Sequence, residues 1–242
     1  LKLSGISDVG KVRPNNEDNF AYGYLDSASY AVVCDGMGGV EGGEIASKIA
    51  VDTIKEQIET AYSPKMKETA IERMLISAIT AANYKVYRYA QSNNLQGMGT
   101  TAVVAVMKAE YAVIAYDGDS RAYVIGNSMR QLTTDHTYLN ELYRLGELTK
   151  EELETDPRKN IITRALGVSE EIEVDTLCAD INAGDTILLC SDGLTNCLDD
   201  DAILKCVKEI GFDDAASVLI HRANENGGVD NITTVLLLNE EV

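Results

Sequence analysis

Residues 101–132, TAVVAVMKAEYAVIAYDGDSRAYVIGNSMRQL, decide the fold. They hold four short runs of β-branched and apolar residues divided by turn residues. Residues 101–107 and 111–116 read as buried strands. Arg121–Ile125 and residues 129–132 flank Gly126-Asn127-Ser128, a hairpin turn. Toward the N-terminus, residues 30–34 form another β-type run, preceded by a more polar one around residues 20–24. Between these strand groups lie two segments with helical spacing. Ile45, Ile49, Ile54 and Ile58 mark the first; Ile71, Leu75, Ala78, Ile79, Ala82 and Val86 form an apolar stripe along the second, and Ser63-Pro64 divides them. Toward the C-terminus a polar, mostly helical region spans about 137–156. A buried strand at 187–190, helices near Asp200–Ile210 and 213–224, and a closing strand at Ile232–Leu238 follow. Strands and helices come in groups, so the pattern predicts an α+β fold of two packed sheets with helices outside, not a parallel βαβ sheet. With no linker, repeat or low-complexity stretch, residues 1–242 are expected to form a single domain.

The chain carries 39 acidic against 21 basic residues, a net charge of −18. Such a surface repels nucleic acid and anionic membrane. The charge reads either as a solvated acidic surface or as carboxylates clustered to hold cations, which would neutralise their repulsion. Composition does not separate the two; position does. The five cysteines include no CxxC pair, and several, such as Cys190, sit among apolar neighbours. They read as reduced core thiols of a cytoplasmic protein. No apolar run approaches the roughly 18 residues of a membrane helix.

Several acidic residues share a context. Asp35 ends the run at 30–34 and precedes Gly36-Met37-Gly38-Gly39. Asp119 follows the run at 111–116 in Gly118-Asp119-Ser120-Arg121. Asp192 follows the strand at 187–190 in Ser191-Asp192-Gly193, and Asp230 precedes the last strand. Glu17 and Asp18 lie in Arg13-Pro14-Asn15-Asn16-Glu17-Asp18. A carboxylate at a strand end is held by a rigid sheet yet reaches solvent, which suits hard cations. The glycines after Asp35 and Asp192 permit close approach of backbone or water. Each Asp-Gly alone is equally a turn signal; five such sites at strand edges are harder to dismiss. Only two histidines occur, His136 and His221, so a His-rich zinc site is disfavoured. No Gly-x-Ser-x-Gly elbow and no Walker-type Gly-Lys-Ser/Thr loop appears.

In sequence order the motifs are Arg13-x-x-x-Glu17-Asp18, Val33-Cys34-Asp35-Gly36-Met37-Gly38-Gly39, Gly99-Thr100-Thr101, Gly118-Asp119-Ser120-Arg121, Asp135-His136, Ile162-Thr163-Arg164-Ala165-Leu166-Gly167, Cys190-Ser191-Asp192-Gly193-Leu194-Thr195 and Asp230-Asn231-Ile232-Thr233. Together they resemble the metal-dependent serine/threonine phosphatases of type 2C, in their compact bacterial form. The resemblance implies a four-layer α-β-β-α sandwich of two antiparallel sheets with helix pairs outside. It implies that Asp35 bridges two Mn²⁺ or Mg²⁺ ions and that the Gly36 carbonyl, Asp192 and Asp230 complete the first site. Glu17 and Asp18 act on the second site, and Asp119 with Asp192 forms a weaker third. Arg13 holds the substrate phosphate, the alternative being a surface ion pair with Glu17 or Asp18. Thr101, Asn231 and His136 take structural roles, and His221 is structural or exposed. About 137–167 resembles a mobile flap beside the active site. Phosphorylated proteins and a cognate Ser/Thr kinase are the implied partners of a monomer.

The sequence departs from the family at Met37 and Val40, where many relatives carry histidine, and at Asp156-Pro157, where His-Pro is common. The missing histidines leave the proton donor to the leaving alkoxide unassigned. One other reading keeps the fold as a non-catalytic binding module, supported only by the missing histidines; an unrelated acidic cation-binding protein would not explain Arg13 or the ordered motifs.

Overall fold

The computed structural model describes residues 1–38, 42–156, 158 and 160–240, without the side chains of Glu154 and Thr155. The motif positions Gly39 and Val40, and Pro157, lie outside the described residues. The strands are β1 (Lys2–Asp8), β2 (Asp18–Leu25), β3 (Ala28–Met37), β4 (Gly99–Thr100), β5 (Ala102–Met107), β6 (Tyr111–Asp117), β7 (Arg121–Ile125), β8 (Met129–Gln131), β9 (Asp175–Asp180), β10 (Thr186–Cys190) and β11 (Ile232–Leu238). The helices are α1 (Gly42–Ala61), α2 (Glu68–Asn93), α3 (Tyr138–Arg144), α4 (Lys150–Thr155), α5 (Asp192–Thr195), α6 (Asp200–Ile210) and α7 (Phe212–Glu225).

The strands form two sheets, ordered β1-β11-β10-β7-β8 and β2-β3-β5-β6-β9, with β4 added to β3. All pairings are antiparallel. Successive residues of a strand face opposite ways, and here both faces are covered. In β3, Tyr30, Val32 and Cys34 join α1 and α2 in one core, while Ala31 and Val33 meet the other sheet. In β10, Leu188 and Cys190 pack toward α6 and α7, while Ile187 and Leu189 fill the space between the sheets. This two-sided burial makes the central strands read as continuous apolar runs rather than alternating ones. The layers are α1/α2, sheet, sheet, α6/α7, the α-β-β-α order expected.

Two edge strands, β1 and β9, the two-residue β4 and the one-turn α5 were not predicted. The cysteines are all free. Cys34, Cys190 and Cys206 are core thiols as expected, but Cys178 is exposed on the edge strand β9 and Cys197 is half-buried, which corrects the assignment of all five to the core. Among the described residues no helix is long and apolar enough to cross a membrane.

Candidate metal centre

The pairing of β2 with β3 sets Asp18 directly opposite Asp35. Like charges at opposed positions repel, so this register is costly unless something neutralises the pair. Three further carboxylates converge on it from elsewhere: Asp119 from the β6–β7 corner, Asp192 from the start of α5 after β10, and Asp230 from the entry to β11. One open cleft of about 710 Å³ is lined by Arg13, Glu17, Asp35, Gly36, Thr101, Asp119, Asp192, Asp230 and Asn231. Nine of the expected site residues thus share one wall. Asp18 does not line it; it lies beneath the floor, with Oδ2 accepting from Ser191 Oγ at 2.7 Å and Thr233 Oγ1 at 2.6 Å.

Backbone contacts fix the carboxylates. The Asp35 amide donates to Thr101 Oγ1 (2.9 Å), and the Asp35 carbonyl accepts from the Thr101 amide (2.8 Å) and from Thr100 Oγ1 (2.9 Å). The Thr101 hydroxyl, which accepts from the Asp35 amide, also shares a hydrogen bond with Ser120 Oγ at 2.7 Å, beside Asp119. Asn231 is buried and knots the opposite side. Its Oδ1 accepts the Glu17 amide (2.8 Å), and its Nδ2 donates to the carbonyls of Val9 and Asn15 (both 2.9 Å). The loop carrying Arg13 and Glu17 is thereby tied to the Asp230 corner. Glycine is required where backbones touch: a Cβ at Gly36 would fall 2.1 Å from the Gly43 carbonyl oxygen, and one at Gly193 2.0 Å from that of Asn231. These glycines let backbone carbonyls approach closely, one of the two approaches expected from the sequence.

Arg13 reaches over the cleft and donates to Asp230 Oδ2 at 2.7 Å. The ion pair foreseen with Glu17 or Asp18 is instead made with a carboxylate 217 residues away. His136 does not line the cleft. Its Nδ1 accepts the Gly118 amide (3.0 Å), so its Nε2 carries the proton and donates to Asp175 Oδ2 (3.0 Å). The ring steadies the corner that presents Asp119, a structural role. His221 is exposed on α7 beside Glu225, at 3.3 Å. Sequence reading gave Arg121 and Asp135 no role, although both stand in its motifs. Arg121 is locked bidentately onto Asp135 (2.7 and 3.0 Å) and is not free to meet a phosphate. Ser191 and Thr233, the hydroxyls that hold Asp18, were likewise quoted in motifs without a role.

The electrostatics fit cations. Burial foremost, then repulsion from the neighbouring carboxylates, raises Asp18 and Asp119 from the usual carboxylate range to about 7 and Asp192 to about 6, and holds Asp35 well above it. The buried oxygens Asp18 Oδ1 and Asp192 Oδ1 have no hydrogen-bond partner. Unpaired buried carboxylate oxygens are costly, and a cluster of them is the donor set of a hard divalent ion. Among the described residues no three His, Cys, Asp or Glu side chains are grouped closely enough to hold a metal by themselves. An ion held here would therefore need backbone oxygen and water as well as carboxylates, ligands that Mg²⁺ commonly takes.

Comparisons with known proteins identify the family and the fold. The sequence model of the family described as protein phosphatase 2C matches residues 11–236. The chain is 42% identical over 237 residues to the serine/threonine phosphatase stp of Listeria innocua, covering 96% of this chain and 93% of that one. It is similar to the solved structure of serine/threonine phosphatase Stp1 from Staphylococcus aureus, at 38% identity and a TM-score of 0.90, covering 98% of this chain and 94% of the other. It also resembles the catalytic domain of the phosphatase PstP solved with two manganese ions, at 30% identity and a TM-score of 0.83, over 97% and 96% of the two chains. Ordered motifs, layer architecture and full-length similarity lead to one statement: the chain belongs to the protein phosphatase 2C family.

Proposed function

We propose that the chain hydrolyses phosphoserine and phosphothreonine in proteins at a centre of two Mn²⁺ or Mg²⁺ ions, with a weaker third. The observation that carries this reading is the convergence of Asp35, Asp119, Asp192 and Asp230, with Glu17 and Arg13, on one open cleft. Asp35, the Gly36 carbonyl, Asp192 and Asp230 would hold the first ion. Asp35 and Glu17, with Asp18 beneath, would serve the second, and Asp119 with Asp192 the third. When bound, the ions lower the pKa of water to supply a nucleophile near neutral pH and offset the charge of the phosphoryl group.

The chain's own residues do the rest. Arg13 exchanges the Asp230 carboxylate for the phosphate oxygens, and its planar fork stabilises the charge that spreads over them. Thr101 and Asn231 keep the carboxylates in register. Met37 stands where many relatives carry histidine, and in this reading a water in the cleft takes the role of proton donor to the leaving alkoxide. Residues 137–167, with α3 and α4, form a flap subdomain of a single catalytic domain and approach the protein substrate. The monomeric enzyme opposes a Ser/Thr kinase, and two manganese ions in a relative with 30% identity support the metal assignment.

The test is hydrolysis of p-nitrophenyl phosphate and a phosphothreonine peptide by metal-stripped protein, before and after Mn²⁺, with Asp35→Ala alongside. Metal-dependent turnover that the substitution abolishes is expected. A folded protein inactive with every divalent ion would return the non-catalytic binding module as the better reading.

A further inference from the structure

A second pocket, about 360 Å³, adjoins the metal cleft and shares Met37 and Ile162 with its wall. Val168 and Ile172 join those two as its apolar lining, beside the polar Thr163 and Ser169 and the buried Asp117. Its rim carries Glu171 and Glu173. Both glutamates are exposed, and among the described residues neither side chain has an ion-pair partner. The one cation in the lining, Arg164, is already committed: Nε donates to Asp117 Oδ1 at 2.9 Å, Nη1 lies 3.3 Å from Asp175 Oδ1, and Nη2 donates to the Glu173 carbonyl. The pocket therefore combines an apolar wall with two exposed, unpaired carboxylates and, among the described residues, no free positive charge.

Its wall is built in advance. Asn83, fully buried on α2, donates to the carbonyls of Ser169 (3.1 Å) and Glu170 (3.0 Å) and accepts the Gly167 amide (2.7 Å). Ser169 Oγ donates to the Glu171 carbonyl at 2.6 Å. A rigid pocket spares the ordering cost of binding.

We infer that this pocket is a subsite for a basic side chain, lysine or arginine, flanking the phosphorylated residue of the substrate. Such a side chain lays its methylene stem on Met37, Ile162 and Val168 and leaves its charged end at Glu171 and Glu173. An acidic neighbour is repelled there. A purely apolar one covers the apolar wall but leaves the carboxylates partly desolvated and uncompensated. Met37 takes part because, in place of a histidine, it turns a flexible apolar edge toward both cavities. The inference rests on the phosphoprotein reading above.

The experiment compares kcat/KM for phosphothreonine peptides that differ only in one neighbour, Lys, Ala or Glu, scanned on both sides of the phosphoresidue. The Mn²⁺-loaded wild type, E171Q/E173Q and E171K/E173K are measured, with p-nitrophenyl phosphate as a substrate that has no neighbour. At one position the wild type is expected to favour Lys over Glu by about tenfold, mainly through KM. That ratio should fall to about twofold or less in the neutral variant and invert in the charge-reversed one, an inversion that misfolding does not produce. A ratio near one at every position, or the same ratio in all three proteins, overturns the subsite. Turnover of p-nitrophenyl phosphate with flat peptide ratios removes the subsite alone. No turnover of any substrate removes the phosphatase reading and the subsite with it.

Discussion

At the scale of single residues, the centre is a set of charges that destabilise the protein unless neutralised. Asp35 is the member most affected, since burial and four carboxylates oppose its ionisation. Asp35→Asn keeps the shape and removes the charge. It is expected to abolish metal-dependent turnover by at least about 10³-fold while raising the melting temperature of the metal-free protein, because a buried repulsion disappears. Kinetics and thermal denaturation in chelator check the two halves, and a fall in metal-free stability would count against the electrostatic account. Arg13 tests the phosphate contact. Arg13→Lys retains charge without the fork and should lower kcat/KM on p-nitrophenyl phosphate about tenfold, and Arg13→Ala about a hundredfold. Most of the cleft carboxylates were legible in sequence, because each sits at the end of an apolar run next to a glycine or a motif neighbour. Two facts were not. The placement of Asp18 beneath the floor depends on hydroxyls at Ser191 and Thr233, and the partner of Arg13 stands across 217 residues. Sequence spacing carries no signal for contacts of that range.

At the scale of elements, legibility followed burial. β11 and α6 were placed with the bounds observed, and the stripe along α2 matches its buried face of Ile71, Leu75, Ala78, Ile79, Ala82 and Val86. β1 and β9 escaped because edge strands with largely half-buried side chains lack both a continuous apolar run and a clean alternation. Helix α2 also does something its stripe does not announce. Within it Asn83 is a buried polar residue whose amide pins residues 167–170. Asn83→Ala would leave one amide and two carbonyls unpaired, so a loss of about 2–4 kcal/mol in urea unfolding is expected. The same variant should loosen the wall of the second pocket, read as faster amide exchange at Gly167. Protection equal to wild type would mean that the turn holds without α2.

At the scale of the whole molecule, protons and divalent cations compete to neutralise one cluster, and that sets how stability depends on pH. In the folded metal-free protein Asp18 and Asp119 titrate at about 7 and Asp192 at about 6, against 3.8 for an unperturbed Asp. Between those limits the folded state binds more protons than the unfolded one, so stability falls as pH rises through them. The contribution is fully present below about pH 4 and gone above about pH 7. Carboxylates lowered in the folded state, such as Asp175, act in the opposite sense, but their contribution is complete above the ordinary carboxylate range and changes little between pH 5 and 8. The overall charge of −18 adds self-repulsion in the same direction as the cluster. Metal-stripped protein is therefore expected to melt lower at pH 8 than at pH 5, by on the order of 5 °C for a domain of this size. Mn²⁺ should raise the melting temperature strongly at pH 8 and little at pH 5, where protons already occupy the carboxylates. Thermal denaturation at both pH values, in chelator and in Mn²⁺, measures this directly. A metal-free protein more stable at pH 8, or an equal gain from Mn²⁺ at both, would show that the carboxylates are ionised and compensated without metal.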